Sequence, residues 1–260
     1  CQLLLGIPYC VYAYGADLLE FDSRIGWGQI LRRILHGADK VVAISKFTRQ
    51  CLVDNGVDAQ RIQLVYPSID LARFTGKIDR DEARAAYGWS GKQVVLSLGR
   101  LVERKGQDTV IRALRNVAEQ IPTVHYAIGG SGPHRHALEE LAHSEGVAER
   151  VEFLGFVAEP ELGRCYAAAD LFSMVSREIG AVGEVEGFGI VYLEANAAGT
   201  AVLAGRSGGV EDAVADEESG LLVDPEDHGA VAETIVRLLR DDALRRQLGA
   251  QGQARVREEF

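Results

Sequence analysis

The stretch Gly183-Glu184-Val185-Glu186-Gly187-Phe188-Gly189-Ile190-Val191-Tyr192-Leu193-Glu194 follows a short apolar run at Leu171–Val175. Two carboxylates, Glu186 and Glu194, are separated by seven residues, with Gly187-Phe188-Gly189 between them. From Ile190 the chain can run on as a helix through Ala198. Glycines let the backbone approach a ligand closely. A helix starting there points its unpaired N–H groups and the positive end of its dipole into the glycine loop. That is a site for a phosphate. Glu186 lies just before the loop and Glu194 about one and a half turns into the helix, so one acid meets the ligand on each side of the phosphate. The plainer reading is a solvated helix start, where acids are favoured in any case.

Outward from this segment the same alternation recurs. Val94–Leu98 reads as an apolar strand before a helix at Asp108–Gln120. Val124–Ile128 precedes a helix at His134–Ser144, and Val151–Leu154 precedes one at Pro160–Ala168. Ala201–Ala204 and Gly220–Val223 are the last strands, and helices follow from Asp227. Upstream, Val11–Gly15, Lys40–Ile44 and Arg61–Tyr66 read as short strands, with a helix at Gly28–His36 and a second capped by Ser45. Leu3–Ala13 lacks a basic leader and a cleavage site, and reads as a buried strand. Ser68–Lys92 is a linker with one short helix near Asp81–Tyr87. Apolar strands alternating with helices predict an α/β fold, a parallel sheet covered on both faces. Ligands in such sheets bind outside the carboxyl ends of the strands.

The strand exits are therefore the places to look for chemistry. Gly99-Arg100-Leu-Val-Glu-Arg-Lys105-Gly106 places two cations five residues apart. A guanidinium fork and an ammonium point charge both suit phosphate oxygens; a solvated charged loop is the alternative. Gly129-Gly-Ser-Gly132-Pro133 resembles the front of a dinucleotide fingerprint but lacks its third glycine. Gly155-Phe-Val carries no chemistry by itself, and Gly205-Arg-Ser-Gly-Gly209 is a turn that could face the same ligand. Cations after one strand, a phosphate loop after another and acids flanking that loop complement a nucleotide diphosphate. Phe188, Tyr192 and Leu193 read as packing residues. The six histidines show no metal spacing and read as surface or capping residues.

Composition sets the outer limits. The 260 residues suit one large or two modest domains. A net charge of −10 argues against a general nucleic-acid binder. Cys1, Cys10, Cys51 and Cys165 are scattered, which reads as a reduced, cytosolic protein without structural zinc. No apolar run reaches the ~18 residues of a membrane span. The chain opens at core hydrophobicity and stops at Phe260 inside a helical pattern. That reads as a fragment of a larger polypeptide; a complete domain stripped of its tails is the alternative.

Taken jointly, these motifs resemble the donor half of a GT-B glycosyltransferase of family 4, the retaining nucleotide-sugar enzymes. The resemblance runs from about Val41 to the end. It rests on Ser45-Lys-Phe-Thr, Val65-Tyr-Pro-Ser-Ile-Asp70 with Phe74, Gly99-Arg-Leu…Lys105-Gly, and Gly129-Gly-Ser-Gly-Pro133. It also includes Phe153-Leu-Gly155, Ala169-Asp-Leu-Phe-Ser173, the E-x7-E element and Gly220-Leu-Leu-Val-Asp-Pro225. Ser176–Val185 is similar to a bacterial subset that includes lipid-directed α-mannosyltransferases. The resemblance implies two Rossmann-like units: residues 1–70, the end of an acceptor-side domain, and residues 71–260, the donor-binding domain.

It also implies roles. Arg100 and Lys105 would hold the donor diphosphate, and Glu194 would accept hydrogen bonds from the ribose hydroxyls. Glu186, the catalytic candidate, would orient the donor sugar and stabilise charge developing at its anomeric carbon. The backbone of Gly187, Phe188, Gly189 and Ile190 would meet sugar hydroxyls and the distal phosphate. Val157, next to Phe156, would lie near the base, and Gly132 joins the donor-binding set. No metal is required, because cations and a helix dipole can neutralise the leaving diphosphate. The donor would be a UDP- or GDP-sugar and the acceptor a lipid or saccharide, in polysaccharide or envelope assembly, in the cytoplasm or at the inner face of the membrane.

There are departures from the family pattern. Its strand-end His-Gly-x-Glu appears as Tyr14-Gly-Ala-Asp17, so a tyrosine stands where an imidazole is expected. The upstream glycine loop is absent, and the 260 residues alone are expected to bind nucleotide but turn over poorly. A sugar-nucleotide epimerase and a non-catalytic nucleotide-binding module remain alternatives; an NAD-dependent dehydrogenase is the weakest. Arg32, Arg33, Lys40, Lys46 and Arg49 form either a patch toward anionic lipid or a solvated helix face.

Overall fold

The structure is a computed structural model that describes residues 7–15, 27–76, 78–180 and 184–260. Its strands fall into two parallel sheets. The first holds β1 (Cys10–Ala13), β2 (Lys40–Ala43) and β3 (Ile62–Leu64), joined through α1 (Trp27–Gly37) and α2 (Lys46–Asp54). Val41 and Ala43 of β2 bury against Leu35 of α1 and Leu52 of α2. α2 begins at Ser45, whose hydroxyl accepts the Thr48 N–H at 3.0 Å, satisfying one of the helix's orphan donors.

After α3 (Arg80–Ala86) the second sheet begins. Its strands are β4 (Gln93–Leu98), β5 (Val124–Gly129), β6 (Val151–Gly155), β7 (Leu171–Met174), β8 (Val202–Gly205) and β9 (Leu221–Val223). They lie in the order β6-β5-β4-β7-β8-β9, every neighbour parallel. Between them run α4 (Gln107–Gln120), α5 (Arg135–Ser144), α6 (Leu162–Ala168), α7 (Ile190–Ala197) and α8 (Val210–Ala213), and then α9 (His228–Arg240) and α10 (Asp242–Glu259). The Rossmann-like α/β fold is thus as the sequence predicts. Strand order reverses between β4 and β7, which opens a crevice at their carboxyl ends.

β4 shows why the sheet is covered twice. Val95 joins a cluster with Val110, Leu114 and Ile235 of α4 and α9. Val94 and Leu96, on the opposite face, join Tyr166, Leu193 and Val256 of α6, α7 and α10. Alternation of side chains along a strand requires this split. Full burial of each such side chain contributes about 1.5–3 kcal/mol. The buried polar member of the strand, Ser97, has its hydroxyl 2.7 Å from that of Tyr126.

The two sheets meet through close backbone approaches, one carboxylate and a ring cluster. A Cβ on Gly187 would lie 2.0 Å from the Tyr14 carbonyl oxygen, and one on Gly209 would lie 2.8 Å from the Ser45 hydroxyl oxygen. Asp212 of α8 accepts the Lys46 N–H at 2.5 Å and the Tyr66 hydroxyl at 3.2 Å, with the Lys46 ammonium at 3.3 Å. Phe260, beyond α10, sets its ring 5.7 Å from those of Tyr66 and Phe188.

Several expectations are corrected. The strand read over Leu3–Ala13 is Cys10–Ala13 here, and only Ala13 in it is buried, because β1 is an edge strand among the described residues; Leu3–Gly6 lie outside them. Arg61–Tyr66 shortens to Ile62–Leu64, because Arg61 closes a 3-10 turn begun by Ala59. The helix expected from Pro160 starts at Leu162, after a 3-10 turn at Glu159–Glu161. His125 is not a surface residue: it is buried at the start of β5, its Nε2 2.7 Å from Glu152. Cys1 and Asp17 lie outside the described residues, as do residues 181–183 of the approach to the glycine loop. No helix among the described residues is long and apolar enough to cross a membrane.

Candidate functional site

Two cavities open at the crevice, one on each side of the start of α7. The first, about 360 Å3, is lined by Leu98, Gly99 and Arg100 after β4, Gly130 after β5, Phe156 and Val157 after β6, and Tyr166 and Glu194. The second, about 650 Å3, lies between the two sheets. Tyr14, Tyr66, Arg104, Lys105, Glu186, Gly187, Phe188, Gly189 and Ile190 are among its walls. Val191 lines both.

The element between them is built from glycine freedom. Gly189 caps α7 with φ +93°, a left-handed conformation that L side chains rarely adopt, and a Cβ there would meet the Tyr192 ring at 2.3 Å. Tyr192 is buried beneath, its hydroxyl donating to the Met174 carbonyl at 2.9 Å. That bond ties the helix start to the exit of β7. Phe188 and Leu193 are buried too, as packing residues. Gly208 and Gly209 do not line either cavity. They sit against the backbone of Glu186 and Gly187, with the Gly209 N–H donating to the Glu186 carbonyl at 2.9 Å. The turn therefore buttresses the loop.

Each acid has its own surroundings. Glu186 is only 8% exposed, and one of its oxygens, Oε2, accepts from Lys105 Nζ at 2.5 Å and Arg104 Nη1 at 3.1 Å. Glu194 accepts from the Tyr166 hydroxyl at 2.8 Å. Burial raises the Glu194 pKa; the Tyr166 hydrogen bond and the charge of Arg73 oppose this, and Glu159 adds to it. The Tyr166 phenol is pushed well above its ordinary range by burial and by the Glu194 charge, so it is the donor of this pair.

The structure separates what the sequence placed together. Arg100 and Lys105 leave β4 in one loop but face different cavities, Arg100 exposed in the first and Lys105 buried in the second. Val157 lines the first beside Phe156, which is 82% exposed. Gly132 lines neither: a Cβ there would meet the Leu101 carbonyl at 2.3 Å, so it serves close packing of the turn. Tyr14 lines the second cavity. Among the described residues no group of three His, Cys, Asp or Glu side chains is placed to hold a metal.

Three contributors have no signal in sequence spacing. Arg104 and Tyr166 are the partners of the two acids. Arg177, buried, donates its N–H to the Arg104 carbonyl at 2.9 Å and grips Asp108 with two guanidinium bonds of 2.8 and 3.0 Å. It thereby fixes the loop that carries Arg104 and Lys105. A bidentate arginine is signalled only by its partner's position in space.

Comparison with known proteins agrees with this architecture. Residues 79–255 match the model for glycosyl transferases group 1, and residues 1–73 match that for Glycosyltransferase Family 4. A GDP-mannose-dependent alpha-(1-6)-phosphatidylinositol monomannoside mannosyltransferase of Mycolicibacterium smegmatis is 39% identical over 235 residues, 88% of this chain and 62% of the relative. A D-inositol 3-phosphate glycosyltransferase of Salinispora arenicola is 37% identical over 239 residues, 86% of this chain and 52% of the relative. Among solved structures, Anabaena HepE in complex with UDP and glucose has a TM-score of 0.87 at 24% identity, covering 100% of this chain and 69% of that one. Sucrose-phosphate synthase of Thermosynechococcus elongatus has a TM-score of 0.82 at 28% identity, covering 98% and 64%. The chain spans about three fifths of the length of the mannosyltransferases it matches. With a matching family model over two thirds of its residues, and a GT-B fold around the crevice, the chain belongs to the glycosyl transferases group 1 family.

Proposed function

We propose that this chain carries the donor site of a retaining glycosyltransferase that moves a hexose from a nucleoside diphosphate sugar to a lipid-linked or saccharide hydroxyl. One observation carries the reading: a helix N-terminus stands between one cavity that holds Glu194 and Arg100 among apolar walls and a second that holds Glu186 with the cations Arg104 and Lys105. The first fits a nucleoside, with Val157 and Phe156 at the base and Glu194 at the ribose. The second fits the sugar. The diphosphate bridges them across the α7 N–H groups, with Arg100 on one side and Lys105 on the other. GDP-mannose is the donor we favour, since relatives 39% identical to this chain are GDP-mannose-dependent.

In this reading the acceptor oxygen bonds to the anomeric carbon on the face from which the diphosphate leaves. The bond from that carbon to the β-phosphate oxygen breaks, and the hydroxyl proton passes to the departing phosphate. Glu186 orients the sugar and stabilises the positive charge on the anomeric carbon. The cations and the helix dipole take up the charge of the leaving group, so the assignment needs no metal. Calorimetric titration with UDP, GDP and ADP, with Glu194→Ala as control, tests the reading. Tight binding of one diphosphate that the substitution weakens about tenfold or more supports it; no binding of any of the three by the full-length protein sinks it.

An acceptor at a membrane suits α1. Ile30 and Ile34, one turn apart, are 47% and 45% exposed, and Arg32 and Arg33 are exposed on the same helix. Apolar and cationic side chains on one exposed helix are what a peripheral contact with anionic lipid requires.

A further inference from the structure

The Glu194 carboxylate is held through one oxygen only. Oε2 accepts the Tyr166 hydroxyl at 2.8 Å, and Oε1 has no protein hydrogen-bond partner among the described residues. Both residues line the first cavity. Tyr166 itself is immobilised. Its ring is fully buried, 5.4 Å from that of Phe172 and 6.1 Å from that of Phe74. Its carbonyl accepts the Thr200 hydroxyl at 2.9 Å, which ties the end of α6 to the turn after α7. A carboxylate on a flexible Glu side chain has two equivalent oxygens and several rotamers. Occupying one oxygen with a donor that cannot move selects one rotamer and leaves one oxygen for the ligand.

We infer that Tyr166 is a positioning residue that makes Glu194 selective for the ribose hydroxyls of the nucleotide. This rests on the donor-site reading, in which Glu194 meets the ribose. The inference gives the phenol a purpose its packing does not need: the ring fills the core, while the hydroxyl serves only the carboxylate. Tyr166→Phe separates the two, because it keeps the ring between Phe74 and Phe172 and removes a single oxygen.

The test uses the full chain and a ligand from which the ribose hydroxyls have been removed. The tighter binder of GDP and UDP is chosen by calorimetry and compared with its 2′,3′-dideoxy form. The wild-type protein is expected to prefer the ribonucleotide by about tenfold or more, the usual worth of hydrogen bonds to a charged acceptor. In Tyr166→Phe the ribonucleotide is expected to weaken about three- to tenfold while the dideoxy form binds as before. A merely structural phenol would weaken both equally. Equal weakening of both ligands, or no change in either, overturns the inference; if Glu194→Ala still abolishes the ribose preference, the donor-site reading survives that result. If Glu194→Ala leaves the preference intact, or neither diphosphate binds the wild type, both fall together.

Discussion

Glu194 places its carboxyl where burial disfavours the charge. Burial raises its pKa, while Tyr166 and Arg73 pull it down and Glu159 pushes it up; Arg100 lines the same cavity. A carboxyl whose folded pKa is raised destabilises the folded protein at neutral pH, and that cost fades as pH falls through the raised value. In the proposed donor site ligand binding runs the other way, because the ionised carboxylate is the stronger acceptor for ribose hydroxyls. Nucleotide affinity is therefore expected to fall on acidification just where the unliganded protein gains stability from this residue. Glu194→Gln, which removes the buried charge, is expected to raise the thermal midpoint of the unliganded protein and to weaken nucleotide binding about tenfold. Melting curves and calorimetry check the pair of effects. At Glu186 the partners carry the test. Lys105→Ala is expected to lower kcat/KM about a hundredfold or more, because it leaves Arg104 alone on a buried carboxylate and, in the proposed donor site, removes a cation from the leaving group. Steady-state kinetics on the full-length protein decides it. The two acids were legible in sequence as a pattern. Their partners were not: Arg104 lies 82 residues from Glu186 and Tyr166 lies 28 from Glu194, and spacing says nothing about where a side chain turns.

Elements were easier to read than their contacts. β4, β5 and β7 show in the sequence because strands buried on both faces read as near-continuous apolar runs. β1 misled because an apolar run is the same whether a sheet covers it or ends at it, and Tyr12 is exposed. His125 misled for the opposite reason, since a histidine inside a strand is hidden by its Glu152 partner, and that pairing is not in the local sequence. The loop after β4 offers a sharper test. Gly106 has φ +68° and a Cβ there would lie 2.0 Å from the Val175 carbonyl oxygen. Gly106→Ala is expected to destabilise the fold by about 2 kcal/mol or more, by left-handed strain plus overpacking. It should weaken diphosphate binding as well, since Lys105 is its neighbour. Denaturant titration and calorimetry measure the two losses. For α1, replacing Ile30 and Ile34 together by Ser is expected to reduce binding to phosphatidylserine vesicles about tenfold or more, with nucleotide affinity unchanged. Vesicle co-sedimentation reports it, and retained vesicle binding would remove the two isoleucines from the contact.

At the scale of the molecule, the parallel α/β architecture and the family resemblance were legible because their signals are spread over many strands. The contact between the two sheets was not, since Asp212 and Lys46 lie 166 residues apart. Asp212→Ala leaves the Lys46 N–H and the Tyr66 hydroxyl without their acceptor, a loss of about 1–3 kcal/mol for each group that stays buried and unpaired. Hydrogen exchange at residues 45–49 and 209–213 is expected to speed up, while β4 and β5 stay protected. The arrangement of the two cavities has a metrical consequence. In the proposed donor-site reading, Val191 touches both cavities and a single helix start divides them, so nucleoside and sugar would have to be joined by a linker of one set length. On that reading the start of α7 acts as a gauge that counts phosphates. A sugar carried on a nucleoside monophosphate would be too short to fill both chambers at once, whatever its base.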